Sequence, residues 1–170
     1  CKINIGLKIV KQREDGYHTI HTIFQELDFF DNIILKKRLS GCHFSSNVDW
    51  LKNDSSNSCV NAWKKLFEIY NIGGISIKLD KKIPVGSGLG GGSSNAASLL
   101  KGIRELYNLN ISNGELECIG LGLGSDVPFF INGGTQIGDG VGELLTIIKN
   151  PIHGVFLLVM PDIFIETAWA

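Results

Sequence analysis

Apolar side chains occupy every second position at the start of the chain, over residues 2–10. This period is typical of a β-strand with one buried face, and it places Lys2 and Asn4 next to each other on the polar face. A Glu14-Asp15-Gly16 turn follows, and similar alternation or β-branched runs predict further strands along the chain. These further strands are predicted at residues 17–27, 32–35, 75–79, 129–131, 135–138 and 155–160.

Three other segments repeat apolar residues every three or four positions, as the buried side of a helix does. Asn57 or Ser58 is a suitable N-cap for the first segment. The third segment opens with the capping box Ser112-x-x-Glu115. The predicted helices run from the Asn57 or Ser58 cap to about residue 70, from 93 to 107, and from 112 to the glycines at 120–124.

The connections between these elements are polar or rich in glycine. Residues 40–58 are rich in Ser and Asn and predict a loop with one short strand, whereas residues 84–92 predict no regular structure. Strands and helices therefore interleave without the strict alternation of a doubly wound fold. The pattern favours an α+β fold with a mixed sheet.

Composition and charge restrict the function classes. The chain has 170 residues, 44% of them hydrophobic and 19% charged, which is typical of a globular domain and unlike a disordered one. Sixteen basic residues against 17 acidic ones provide no electrostatic footprint for nucleic acid or an anionic membrane. No apolar run reaches the roughly 20 residues of a membrane span. Four cysteines without a C-x-x-C pair favour reduced thiols over a metal centre or a disulfide framework.

Glycine is concentrated in one region: 15 of the 21 glycines lie between Pro84 and Gly142. The densest stretch follows a predicted strand and leads into a predicted helix. Successive glycine amides can form a concave nest of donors, and the start of the helix adds its partial positive charge. The stretch therefore predicts a site for a di- or triphosphate. Its residues are Pro84, Val85, Gly86, Ser87, Gly88, Leu89, Gly90, Gly91, Gly92, Ser93 and Ser94.

Three common glycine motifs do not fit this stretch. Gly86-x-Gly88-x-x-Gly91 matches the dinucleotide fingerprint in letters, but the acid at the expected spacing, Glu105, falls inside a predicted helix. No Gly-Lys-Ser/Thr follows for a P-loop, and no strand and Asp-Phe-Gly follow for a protein kinase. A mobile linker is disfavoured because the stretch runs directly into a patterned helix.

The order of motifs resembles a known superfamily. Pro84-x-Gly-x-Gly-Leu-Gly-Gly-Gly-Ser-Ser-Asn-Ala-Ala97 resembles the ATP-binding loop of the GHMP small-molecule kinases. Four further stretches are similar to the members of that superfamily that act on 4-diphosphocytidyl-2-C-methyl-D-erythritol. They are Lys2-Ile-Asn-Ile-Gly-Leu-Lys8, Arg13-Glu-Asp-Gly-Tyr-His18, Gly124-Ser-Asp-Val-Pro-Phe-Phe130 and Gly140-Val-Gly-Glu143.

The resemblance implies a fold and a reaction. The fold is a GHMP-kinase N-terminal domain, like domain 2 of ribosomal protein S5, over residues 1–153, with residues 154–170 beginning a C-terminal domain. The reaction is transfer of the γ-phosphoryl of ATP to the 2-hydroxyl of the erythritol moiety, a step of the non-mevalonate isoprenoid pathway. Mg²⁺ is expected to accompany ATP, as in phosphoryl transfer generally.

The resemblance also implies residue roles. Lys2 and Asp126 match the lysine and aspartate that flank the accepting hydroxyl, with Asp126 as the proton acceptor and Lys2 as the stabilising charge. Tyr17 and His18 match the reader of the cytosine base. Asn4 is expected to hydrogen-bond near the reacting oxygen, and Ser94 is the candidate metal contact. Without the resemblance, Lys2 is a solvated charge and Asp126 a turn or helix cap.

Several alternatives stay open at this point. One alternative is that the chain acts on the substrate of another GHMP kinase, such as mevalonate or homoserine. A second is that it is an inactive module that holds nucleotide without transfer. A dinucleotide-dependent oxidoreductase is the least favoured, because paired βαβ units are not seen. The expected partner is a small-molecule substrate, and no signal indicates an oligomeric state. The three tryptophans, Trp50, Trp63 and Trp169, are expected in the core or on helix faces rather than against a ligand.

The start of the chain has no signal or transit segment, and both ends look cut. The resemblance therefore implies the bacterial cytoplasm, or a plastid-type organelle if a transit peptide has been removed.

Overall fold

Two β-sheets and a group of helices make up the computed structural model, which describes residues 1–149 and 154–160 except 15, 17 and 55. The strands are β1 (Lys2–Gln12), β2 (His18–Glu26), β3 (Asn32–Arg38), β4 (Cys42–Ser46), β5 (Gly74–Asp80), β6 (Thr135–Asp139) and β7 (Leu144–Ile147). The helices are α1 (Ser58–Tyr70), α2 (Gly91–Tyr107), α3 (Asn113–Leu121) and α4 (Val127–Asn132).

The two sheets differ in strand direction. The first has the order β1-β2-β6-β7 and is antiparallel throughout. The second has the order β3-β5-β4, in which β5 is antiparallel to β3 and parallel to β4. The predicted α+β class is therefore confirmed, and the mixed strand arrangement lies in the second sheet.

The core lies between the second sheet and the helices. Ile77 on β5, Leu66 on α1, and Leu99 and Ile103 on α2 are all fully buried in one apolar cluster. Helix α2 contacts α1, α3, α4 and β3, so it is the central helix of the domain. Because its N-terminal end meets the glycine-rich stretch, this packing fixes the position of that stretch.

Two predicted strands are wrong. Residues 129–131 belong to α4, in which Phe129, Phe130 and Ile131 are all buried. A short apolar run buried on all sides has no period that separates a strand from a helix, and Pro128 in the first turn favours the helix. Residues 155–160 are described but form no strand.

Two further differences concern local pattern. Strand β7 was not predicted, since its sequence Leu-Leu-Thr-Ile lacks alternation. Helix α2 begins at Gly91, two residues before the predicted start, and so includes part of the stretch expected to be irregular. Glycine's low helix propensity concealed that start.

The predicted buried face of β1 is also wrong over its second half. Leu7 and Ile9 are each more than half exposed, whereas Lys2 on the opposite face is 8% exposed. A register shift between Asn4 and Leu7 separates the two halves of the strand. Within the described part of the chain, no helix is long and apolar enough to cross a membrane, and all four cysteines are free thiols.

Candidate active site

Lys2 lies at the start of β1, directly beside the glycine-rich stretch. Its backbone N–H donates to the carbonyl of Leu89 at 2.9 Å, which ties the strand to that stretch. Its Nζ donates to Asn4 Oδ1 at 2.9 Å and lies 3.5 Å from Asp126 Oδ2. The same ammonium lies 5.3 Å from the centroid of the Phe24 ring. Lys2 is therefore a nearly buried cation with specific contacts rather than a solvated surface charge.

Asp126 precedes the first turn of α4 at the N-cap position. Its side chain makes no capping hydrogen bond, and it is 28% exposed. The carboxylate is therefore partly open to solvent and faces Lys2 instead of the helix amides. The structure brings together Lys2 and Asp126, which are 124 positions apart in the chain.

The glycine-rich stretch turns sharply before it enters α2. Gly86, Gly88 and Gly90 all have φ near +70°. The hydroxyl of Ser87 donates to the carbonyl of Pro84 at 2.7 Å, which closes the first turn. Gly90 is the N-cap of α2 and supplies no side chain, so the amides of the first helical turn are left without a capping group. These amides and the helix dipole make the start of α2 an anion-binding surface.

We expect Gly90→Ala to destabilise the fold more than Gly88→Ala. Both glycines have φ near +70°, which costs an L-residue about 1–2 kcal/mol. A Cβ at Gly90 would also lie 3.0 Å from the Phe130 ring and 3.3 Å from Lys2 Cγ, whereas nothing lies within 4 Å of one at Gly88. Urea denaturation of both variants separates the steric cost from the conformational cost. Equal losses in free energy of unfolding would contradict the close packing at Gly90.

A cavity of about 350 Å³ borders the glycine-rich stretch. Its walls are the stretch itself and the N-terminal end of α1, and its lining includes Trp50, Cys59, Lys81 and Asn95. Burial raises the pKa of the Cys59 thiol to about 12, so this thiol is uncharged at physiological pH. Residues 90–93 at the start of α2 also line the cavity, which can therefore hold a flat group attached to an anion.

The tryptophans divide between core and cavity. Trp63 is 8% exposed and its indole N–H donates to the carbonyl of Gly73 at 3.3 Å, as expected for a core residue. Trp50 is 55% exposed, lies in a turn and lines the cavity, so its predicted place in the core or on a helix face is wrong. Trp169 lies outside the described residues.

Asp31, just before β3, contacts the segment after β5 and helix α2, and its side chain is fully buried. The carboxylate accepts from Lys81 Nζ at 2.7 Å and from Asn95 Nδ2 at 2.9 Å. It also accepts from the backbone amides of Lys82 at 2.6 Å and Ile83 at 2.8 Å. Burial acts to raise the pKa of Asp31, but these hydrogen bonds outweigh it and hold the pKa below its ordinary value. Sequence analysis missed this group because its members are 50 to 64 positions from Asp31.

The remaining predicted residues are placed as follows. Asn4 contacts Lys2, and its amide Nδ2 donates to Thr22 Oγ1 at 2.7 Å. His18 begins β2 and is exposed, while Tyr17 lies outside the described residues. Ser94 lies in the first turn of α2, partly exposed, with its backbone N–H bonded to the carbonyl of Gly90. Among the described residues, no group of three or more His, Cys, Asp or Glu side chains could hold a metal ion.

Comparison with known proteins identifies relatives of this chain. Residues 57–134 match the family model of the GHMP kinases N terminal domain. The chain is 41% identical over 171 residues to the 4-diphosphocytidyl-2-C-methyl-D-erythritol kinase of Acetivibrio thermocellus, covering 99% of this chain and 60% of that protein. It is 43% identical over 170 residues to the kinase of the same name from Alkaliphilus oremlandii, covering 98% and 58%. The chain thus spans about 60% of the length of these curated relatives.

Solved structures give the same relationship. A crystal structure of 4-(cytidine 5'-diphospho)-2C-methyl-D-erythritol kinase superposes with a TM-score of 0.76 at 37% identity, covering 88% of this chain and 53% of that one. A mevalonate kinase superposes with a TM-score of 0.63 at 20% identity, covering 79% and 50%, and this likeness concerns the fold alone.

Proposed function

Because this chain has the fold of the GHMP-kinase N-terminal domain, we propose that its protein transfers the γ-phosphoryl of ATP to the 2-hydroxyl of 4-diphosphocytidyl-2-C-methyl-D-erythritol. The observation that carries the proposal is the pair Lys2 and Asp126, 3.5 Å apart beside the glycine-rich stretch. Relatives that carry that enzyme's name are about 40% identical over nearly the whole chain, which supports the choice of substrate.

The proposed transfer needs a proton acceptor and a positive charge at one place. Asp126 accepts the proton of the attacking hydroxyl as the new O–P bond forms and the bond from the γ-phosphorus to the bridging oxygen of ADP breaks. Lys2 lies beside Asp126 and offsets the charge that develops on the transferred group. Both side chains are only partly exposed, which strengthens their electrostatic interaction with the reacting atoms.

The glycine-rich stretch is the proposed binding site of the triphosphate. The amides at the start of α2 lack a capping side chain and donate to the phosphate oxygens. The Leu89 carbonyl in the stretch accepts from the Lys2 amide, so the bound phosphates and the Lys2 ammonium would be held at fixed relative positions. Pro84, Val85 and the glycines through Gly92 line this surface, and Ser93 and Ser94 add hydroxyls.

Mg²⁺ is proposed as the companion of ATP, and the donors present fit it. Magnesium usually keeps several water ligands and takes one or two protein oxygens plus substrate phosphates, so a dedicated protein cage is not needed. The partly exposed Ser94 hydroxyl in the first turn of α2 would hold it. The bound ion would neutralise charge on the phosphates. Tyr17 and His18 remain the proposed readers of cytosine.

We propose that the cavity receives the nucleobase of ATP against Trp50. Trp50→Ala is then expected to raise the KM for ATP about tenfold, because stacking of one base on an aromatic ring contributes about 1–3 kcal/mol. The value of kcat at saturating ATP should stay within about twofold, since neither Lys2 nor Asp126 is among the residues that line the cavity with Trp50. Steady-state kinetics with varied ATP measure both constants. Trp50→Phe keeps an aromatic face and should restore most of the affinity; equal KM values for all three proteins would place the base elsewhere.

The proposed function is tested by ADP release from the full-length protein with ATP, Mg²⁺ and one candidate alcohol at a time. The panel contains the cytidyl-methylerythritol substrate, mevalonate and homoserine. Release with the first alone supports the proposal, and release with another assigns a different kinase of the superfamily. Nucleotide binding without ADP release with any of these alcohols indicates a binding module.

Because the relatives named above are bacterial, we propose that the protein acts in the bacterial cytoplasm.

A further inference from the structure

The register shift in β1 places a backbone carbonyl where a side chain can reach it. Between Asn4 and Leu7 the pairing of β1 with β2 is irregular, and the carbonyl of Gly6 accepts from the Thr22 hydroxyl at 2.6 Å. Thr22 is 1% exposed. Strand irregularities beside functional sites commonly redirect side chains, and this one lies two residues from Asn4.

The Thr22 side chain has a fixed orientation. A Cβ added to Gly138, its cross-strand neighbour on β6, would lie 3.3 Å from Thr22 Cγ2. The methyl group therefore rests over Gly138, where the missing side chain leaves room. With the methyl on that side, the hydroxyl is directed towards β1 and the Gly6 carbonyl.

The donors and acceptors in this group can be assigned without ambiguity. A carbonyl only accepts, so the single Thr22 proton is used on Gly6, and a Thr22 lone pair is left for Asn4. Asn4 must then present its Nδ2 to Thr22, at 2.7 Å, and its Oδ1 to Lys2, at 2.9 Å. Thr22 and the Lys2 ammonium thus select the same orientation of the Asn4 amide, and Thr22 anchors its Nδ2 end. With Thr22 as an acceptor, the opposite orientation would set two donors against each other.

In this arrangement the Lys2 Nζ lies near the Asp126 carboxylate without forming a close hydrogen bond to it. The Lys2 Nζ donates to Asn4 Oδ1, and its 3.5 Å separation from Asp126 Oδ2 is longer than a strong hydrogen bond. A lysine side chain has four rotatable bonds, so its ammonium can move closer to Asp126 if Asn4 releases it. Such an approach would occupy the oxygen that the substrate hydroxyl needs.

We propose that Thr22 is a positioning residue for the phosphoryl transfer, which acts through Asn4 to hold Lys2 Nζ short of Asp126. The inference rests on the proposed function, because it assigns a task in that reaction to a residue that is 1% exposed. Groups that align reacting atoms are sensitive to displacements of about 1 Å, which can cost about 100-fold in rate. Thr22 therefore affects kcat rather than substrate affinity.

Thr22→Val in the full-length protein tests the proposal, since it keeps the methyl over Gly138 and replaces only the hydroxyl. We expect kcat to fall about 10- to 100-fold, with the KM values for ATP and the alcohol changed less than about threefold. Thr22→Ser retains the hydroxyl and should recover most of the rate. Thr146→Val, at an exposed position of β7 in the same sheet, is the matched control and should behave as wild type.

A double-mutant cycle with Asn4→Ala separates positioning from general damage. If Thr22 acts through Asn4, then Thr22→Val changes kcat by less than about twofold once Asn4 is already alanine. Additive losses would overturn the proposal, as would a wild-type kcat in Thr22→Val. If valine is not tolerated, Thr22→Ala removes the hydroxyl without adding a methyl towards Gly6, and the same cycle is measured with it.

A readout independent of activity keeps this inference distinct from the proposed function. In a crystal structure of Thr22→Val we expect the Lys2 Nζ to leave Asn4 Oδ1 and to close on Asp126. An unchanged Lys2 would overturn the positioning role even if the enzyme is active. A displaced Lys2 in a protein that phosphorylates none of the alcohols would support the positioning of Lys2 and contradict only the reaction.

Discussion

Asp126→Asn is expected to lower kcat by about 10²- to 10⁴-fold, the range for loss of a general base. Asparagine keeps the size and the oxygen of aspartate but cannot accept the proton of the attacking hydroxyl. The KM for ATP should change little, because the glycine-rich stretch and the cavity lie on other elements. ADP release at saturating ATP and alcohol, with varied ATP in a second series, measures both effects.

The fold should tolerate this change. Asp126 makes no capping hydrogen bond to α4 and its side chain is 28% exposed, so its replacement breaks no part of the core. Asp139→Asn is the matched control: this carboxylate is half exposed on β6 and pairs with His21 at 2.6 Å. Exposed pairs of this kind contribute about 0–1 kcal/mol, so the control should keep its rate. If Asp126→Asn retained the wild-type kcat, another group would have to accept the proton.

Features fixed by near neighbours in the chain were predicted well. The capping box at α3 is present in full: Ser112 accepts from the Glu115 amide at 3.2 Å, and Glu115 accepts from the Ser112 amide at 2.8 Å. The N-cap of α1 is Asn57, one of the two residues considered, and its side chain accepts from the Cys59 amide. Four residues or fewer separate the partners in each case, so the sequence alone carries the information.

Features fixed by tertiary packing were not predicted well from the sequence. The buried run Phe129-Phe130-Ile131 is equally apolar as a helix or a strand, and its helical state depends on contacts of α4 with α2 and α3. The exposure of Leu7 and Ile9 depends on the register shift in β1, which no pattern of polar and apolar residues announces. In both places the local pattern allows two outcomes and the surrounding elements decide between them.

The residues of the candidate site also fall into two groups, those that were predicted from the sequence and those that were not. Lys2 and Asp126 were paired from motif resemblance, and the 3.5 Å separation of their charged atoms agrees with that pairing, although their roles stay predictions. Thr22 and Asp31 belong to no motif that was considered. Their importance lies in what they contact, and those partners come from strands and loops that meet only in the folded chain.

Asp31→Asn is expected to lower the free energy of unfolding by about 3–5 kcal/mol, the usual cost of breaking a buried ion pair by removing one partner. The Asp31 side chain is fully buried and its partner Lys81 is 8% exposed, so solvent cannot replace the lost charge. Asparagine would also direct an N–H₂ group at the donors from Lys82, Ile83 or Asn95. Urea denaturation followed by circular dichroism measures the loss.

The free energy of unfolding that Asp31→Asn loses should become smaller at low pH. The folded-state pKa of Asp31 lies below its ordinary value of 3.8. Its contribution to stability is therefore complete above the unfolded-state pKa and disappears as the pH falls through the folded-state pKa. The gap in free energy of unfolding between wild type and Asp31→Asn should be constant near neutral pH and should narrow below about pH 4.

Two further variants identify the cause as the buried pair. Asp28→Asn changes the same residue type at an exposed position three residues earlier, and it should alter the free energy of unfolding by less than about 0.5 kcal/mol. Lys81→Met removes the other charge, so the double variant should lose less than the sum of the two single losses. Additive losses would mean that the backbone amides and Asn95, rather than Lys81, account for the cost.

Because Asp31 also holds the residues that lead into the glycine-rich stretch, the Asp31→Asn protein that remains folded should bind ATP more weakly than wild type.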